Sequence, residues 1–376
     1  MKIKLFVCAV FTMNLMASTL MAAEARFFRH LKFRETPFSS YQGIHPINQQ
    51  QAQTTAHYRF EYDDYQRITS IAYMLGDQII NDNGNWDTFI WFAPKVTISY
   101  QPNQEIHQYF NAGNQRISAH GAVYTATYQL DKQGKRQSLA FTNENKEASE
   151  NAWGIHRYQW QHVNQQELIE KRFSLDGNQQ PIRPEFKFFE THMTFDDLGQ
   201  LQLMKNFGLD GKPTNNDSGA GMDRIFYDFA GNFQRWHVFD KDGHPVEGNR
   251  PMVHIGEHLY DEFGNKIGLR GFDKQGLPKT FSWGEFLIKR SFDASGNQTA
   301  SLVYDENMQL VSNIKIEYSS DGLKRTWLKS FDTSGKLTSS ANLGGAAAIN
   351  YKYEADSLTP HKIIRLDEQL KPINPS

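Results

Sequence analysis

Seven aspartates recur at nearly even intervals along the second half of this chain: Asp228, Asp240, Asp261, Asp273, Asp293, Asp305 and Asp332. Stacked carboxylates are hard oxygen ligands, so the ladder could bind Ca²⁺, and Asp240-Lys241-Asp242-Gly243 even offers Asp-x-Asp-Gly. A calcium site takes about six to eight oxygens, however, and one turn supplies about two. The expectation is that each aspartate caps the backbone of its own turn. His254 and His258 share one face of an alternating segment, with His237 and His244 one unit earlier. Imidazoles bind zinc, but positions four apart on a strand are separated by ~13 Å, too far for one ion. These read as surface histidines.

The tryptophans are Trp86, Trp91, Trp153, Trp160, Trp236, Trp283 and Trp327. Exposed indoles can form stacking platforms, and buried ones fill the space between hairpins. Trp86 and Trp91 lie in an irregular stretch, where contact loops concentrate. Trp236 alternates with Phe233, which places one of the two outward. Trp86, Trp91 and Trp236 are therefore the candidate binding residues. No Gly-x-Ser-x-Gly elbow and no Walker loop occurs, and Gly219-Ala220-Gly221 reads as a connector ahead of a strand. Spacing cannot single out a carboxylate pair for glycoside hydrolysis among 42 acidic residues. No catalytic residue, metal ligand or cofactor is assigned.

The elements that hold these residues come from a repeat. Tyr227-Asp228 with Gly231-Asn232 is followed by Phe239-Asp240 with Gly243; Tyr260-Asp261 with Gly264-Asn265 by Phe272-Asp273 with Gly276; Phe292-Asp293 with Gly296-Asn297 by Tyr304-Asp305. Asp opens a type I turn and Gly at the fourth position accepts the positive φ of the closing bulge. The segments between turns alternate with period two, so they are strands. Each unit is a hairpin: strand, Asp-x-x-Gly-Asn turn, strand, Asp-x-x-Gly-x-Pro turn, connector. Units start at Phe195, Tyr227, Tyr260, Phe292, Tyr318 and Tyr353, in steps of 32, 33, 32, 26 and 35 residues. Eroded units continue upstream. The fold class is all-β: repeated antiparallel hairpins in an extended or curled meander, since such units bury their apolar faces only by pairing with neighbours.

This turn pattern resembles the YD repeats of RHS-type bacterial cell-surface proteins and, more loosely, MORN-like hairpin repeats. The resemblance covers Tyr158 to Pro372 well and Tyr62 to Trp153 weakly. It implies β-hairpin architecture and an exported setting. RHS repeats form a shell around a C-terminal toxin, and that part does not carry over: this sequence reaches Ser376 a few residues after the last repeat.

Residues 1–23 read as a signal peptide, with Lys2 and Lys4 ahead of an apolar run and small residues at Ala22, Ala23 and Ala25. The only cysteine, Cys8, lies within it. The processed chain then has no disulfide, thiolate metal site or thiol nucleophile. Residues 24–120 read as an N-terminal cap and irregular β region with eroded repeats, including a flexible Gln49-Gln50-Gln51 segment. Residues 121–376 read as the array, with 342–350 a loop in its last unit. With net charge −2 and no Lys/Arg block, nucleic acid is not an expected partner, and no transmembrane span remains after signal cleavage. A long surface of equivalent positions suits an extended partner better than a single pocket. The function expected is an exported binding or scaffold module for a protein or polysaccharide of the cell envelope or exterior. An enzyme acting on such a polysaccharide and a self-assembling structural protein are the alternatives.

Overall fold

The structure, a computed structural model, describes residues 25–85, 93–184 and 186–373. The expected signal peptide, Trp86 and Trp91 lie outside the described residues. Among the described residues twenty-five strands join in one antiparallel sheet. From the outer strand Gly43–Ile47 the order runs through Ala25–Leu31 to His57–Tyr62 and then follows the chain to Lys362–Leu366. No pairing joins the two outer strands among the described residues, so the sheet is open. Helix among the described residues is confined to Gln49–Ala52 and a 3₁₀ turn at Ala341–Leu343. Among the described residues no helix is long and apolar enough to cross a membrane.

The turns have the chemistry their residues demand. Asp228 Oδ1 accepts from the backbone N–H of Ala230 and Asn232 at 2.9 Å, and Gly231 sits at φ +88. Asp240, Asp261, Asp273 and Asp293 make the same two bonds, with Gly243, Gly264, Gly276 and Gly296 all at positive φ. The two turn types differ in what lies beyond them. In the Gly-Asn turns the asparagines Asn232, Asn265 and Asn297 are buried. Each donates back to its own Asp and also meets a distant segment: His45 Nε2 lies 2.9 Å from Asn232 Oδ1, while Asn265 Oδ1 accepts from Asn85 and Asn297 Oδ1 from Asn83, each at 2.8 Å. The Gly-x-Pro turns point to solvent and close at the proline, by a single bridge in Phe239 to Pro245 and by a two-residue strand pairing at Pro278–Lys279. The tyrosine before Asp staples adjacent hairpins, Tyr227 Oη donating to Leu201 O at 3.0 Å and Tyr260 Oη to Phe233 O at 2.8 Å.

Contacts between residues 29–85 and turns near 198, 232, 265 and 297 require the sheet to curl around its N-terminal part. Within the curl lies a row of fully buried rings, including Tyr109, Tyr128, Phe141 and Tyr158. Burying each contributes about 2–3 kcal/mol. The loop 32–42 plugs the interior.

Two local expectations are corrected. Gln49–Ala52 is not a flexible segment but a one-turn helix, because Asn48 and Gln51 form a capping box and Ala52 is buried. The loop expected at 342–350 is shorter: Ala348–Lys352 is a strand paired with Lys362–Leu366. Ala346, Ala347 and Ala348 are fully buried, and their small side chains let the segment pack against the sheet.

Candidate functional site

A buried loop must satisfy its backbone polar groups, and charged side chains of the sheet do this for the plug. Arg136 Nη1 donates to Pro37 O at 3.1 Å and Phe38 O at 2.8 Å, and Tyr128 Oη donates to Pro37 O at 3.1 Å. Arg136 is ion-paired with Glu105. Burial raises the Glu105 carboxyl, but the hydrogen bond from His107 and the Arg136 charge outweigh it and hold it at about 2. Glu170 accepts from Thr36 Oγ1, from Trp160 Nε1 at 2.8 Å and from Arg172 Nη1 at 2.8 Å. Glu35 of the plug is ion-paired with Arg183.

Beside the plug lies a cavity of about 360 Å³. Its aromatic walls are Phe33, Phe186, Phe233, Trp236 and Trp283, and its polar groups are Glu35, Arg183, Asp223, Arg250 and His258. Phe33 of the plug stacks on Phe233 at 4.2 Å between ring centroids. Trp236 is placed by the residue across from it. Its strand partner is Gly256, where a Cβ would stand 1.9 Å from the indole, so only glycine lets the ring lie flat there. Successive connectors form the lip. Asn216 Nδ2 donates to Phe186 O at 3.0 Å and to Asn249 Oδ1 at 2.9 Å. Ser282 N donates to Pro251 O at 3.0 Å, which brings Trp283 over the opening, stacked on Phe281 at 4.8 Å.

The electrostatics of the cavity divide in depth. Asp223 is buried, with Asn249 Nδ2 at 2.9 and 3.0 Å from its two oxygens. Burial pushes its carboxyl up to about 7 against the opposing pull of Arg183 and Asn249. Burial, with help from the charges of Lys266 and Arg290, pushes His258 well below the usual imidazole range. It is neutral, and its buried Nδ1 has no hydrogen-bond partner among the described residues. Arg250 is exposed at the lip, and no ion pair engages it among the described residues.

Of the candidate binding residues, only Trp236 falls within the described part, and it lines this cavity. Phe233 lines it too, with its ring centroid 5.8 Å from that of Trp236. The expectation that one of them faces outward is corrected. Phe226 pairs with Arg235 and Tyr227 with Phe233, so Gln234 is the extra residue of a bulge that turns Phe233 onto the Trp236 face. His254 and His258 are not surface histidines. His254 is buried with Nδ1 2.7 Å from Val238 O, and His258 packs edge-on to Phe233 at 5.2 Å. Among the described residues no group of three His, Cys, Asp or Glu is placed to hold a metal ion. Glu35, Arg183, Asp223 and Arg250 were not singled out by sequence. The available signal was Phe33-Arg34-Glu35-Thr36-Pro37-Phe38, charges between aromatics with no strand period.

No family model and no curated protein matches the chain. Among solved structures it is similar to chains of the TcdB2-TccC3-Cdc42 crystal structure, at 9% identity and TM-score 0.33, covering 80% of this chain and 16% of that one. A chain of the Photorhabdus luminescens Tc holotoxin pore gives 9% and 0.33, covering 81% and 16%. A porin-like protein from Bacteroides uniformis gives 12% and 0.21, covering 80% and 86%. TM-scores of this size carry no inference about fold or role, and the architecture rests on the strand pairings above.

Proposed function

We propose that this chain is an exported hairpin-repeat binding protein for a protein or polysaccharide of the cell envelope or exterior, with the cavity beside the plug as its contact site. The observation that supports this most is the cavity itself: five aromatic walls with a few polar groups at their edges, the make-up of a ligand site. Residues 1–23 supply the export signal, 24–120 the cap and 121–376 the array. The RHS-like turn pattern agrees with an exported setting. The test is capture from envelope and culture-medium fractions by the immobilised full chain and by Trp236→Ala. One dominant retained protein or sugar that the variant loses is expected. Clean beads, or equal retention by the variant, would overturn the reading.

A second reading is an enzyme acting on such a polysaccharide. Two carboxyl groups in different environments line the cavity, Asp223 pushed up to about 7 and Glu35 paired with Arg183. Retaining and inverting glycosidases use a protonated acid beside an ionised carboxylate. Release of reducing ends from the captured polysaccharide, abolished by Asp223→Asn, is what this reading requires.

A further inference from the structure

The make-up of the cavity bears on which partner it takes. Its flat walls, Trp236, Trp283 and Phe233, suit a ring with an apolar face. A purely apolar guest, such as a lipid chain or a Phe side chain, would make no use of the polar groups that share the lining, Glu35, Arg183 and Arg250. A guest with hydroxyl groups around an apolar face meets walls and polar groups together. That combination is a sugar ring.

Charge narrows the class. In the interior, Glu35 is matched by Arg183, and Asp223 is held by the Asn249 amide. At the lip the guanidinium of Arg250 has no ion-pair partner among the described residues. A planar guanidinium recognises a carboxylate through two parallel hydrogen bonds. A cationic guest would meet the unpaired Arg250 on entry, so charge complementarity at the lip disfavours it.

We propose that the cavity binds an acidic sugar, a uronic-acid unit of an extracellular polysaccharide, with its ring against the Trp236 and Trp283 walls and its carboxylate on Arg250. This rests on the binding role proposed above and names the ligand class for that site.

The test titrates the full chain with uronate trisaccharides (galacturonate, glucuronate and mannuronate), with their methyl esters, and with N-acetyl-tryptophanamide. Tryptophan emission and calorimetry are read together. At least one uronate should bind tenfold or more tightly than its ester, because esterification removes only the charge that Arg250 reads. Arg250→Ala, at an exposed position, should bring acid and ester to equal affinity, and Trp236→Ala should weaken both. Equal affinity of acid and ester for the unmodified protein would overturn the proposal, as would preference for the tryptophan amide or no binding of any uronate. If the uronates fail while Trp236-dependent capture from envelope fractions persists, only the ligand class falls. If capture fails as well, the binding role falls with it.

Discussion

Asp223 gives the sharpest prediction, because its environment and the direction of its shift are both set by burial. The carboxyl is 4% exposed and its hydrogen bonds come from the Asn249 amide. Glu35, Arg183 and His258 share its cavity. Its folded-state value near 7 stands above the ordinary 3.8. The sign follows from linkage. Below the ordinary value the group is protonated in both states and costs nothing. As pH rises toward 7 the unfolded chain ionises freely while the folded one resists, so stability falls, and the loss is complete above 7. Over those roughly three pH units the loss is on the order of 4 kcal/mol, of which ~3 kcal/mol falls between pH 5 and pH 8. Asp223→Asn keeps the shape and the bond from Asn249 but cannot ionise. Urea unfolding of both proteins at pH 5 and pH 8 should show the variant gaining ~3 kcal/mol on the parent at the higher pH. An identical difference between the two at both pH values would refute the reasoning.

Three further outcomes follow from the fold. Tyr260→Phe removes the staple to Phe233 O and should lower stability by ~1 kcal/mol in urea melts. Glu105 lies below its ordinary 4.5, at about 2, so its contribution of ~3 kcal/mol is present above pH 4.5 and lost as pH falls toward 2. Glu105→Gln should abolish that acid dependence and, by leaving Arg136 buried without its partner, destabilise at neutral pH by about 3–5 kcal/mol. The last unit has its own small core of Leu343, Ala346 and Ile349, apart from the main one. Its amides in Ala348–Lys352 should exchange faster than those of Tyr158 and Trp160, as hydrogen exchange read by mass spectrometry would show.

How legible each feature was in sequence follows from how far its cause lies along the chain. Asp-x-x-Gly turns and period-two strands are local, so Asp228 and Gly231 point to a hairpin without help from elsewhere. The burial of Asn232, Asn265 and Asn297 is not local. Their partners His45, Asn85 and Asn83 lie 187, 180 and 214 residues away, and the alternation of Gly-Asn with Gly-x-Pro is the trace of that packing. The facing of Phe233 and Trp236 was misread because a bulge at Gln234 interrupts period two, and a bulge leaves little mark in composition. The plug left one local trace, the charges set between aromatics from Phe33 to Phe38. Its shape comes from Arg136, Glu170 and Arg183, three strongly polar residues whose burial only the curled sheet explains. Gly256 did carry a clue, since a glycine inside a strand marks a close approach, here by Trp236.

The most direct test of the account is oxidation footprinting of the tryptophans, with and without the species captured from envelope fractions. If the cavity is the contact site, Trp236 and Trp283 become protected when the partner is bound, while Trp327, on the strand Arg325–Phe331 and not part of the cavity, reacts as before. Unchanged reactivity of Trp236 and Trp283 in the bound state would contradict it.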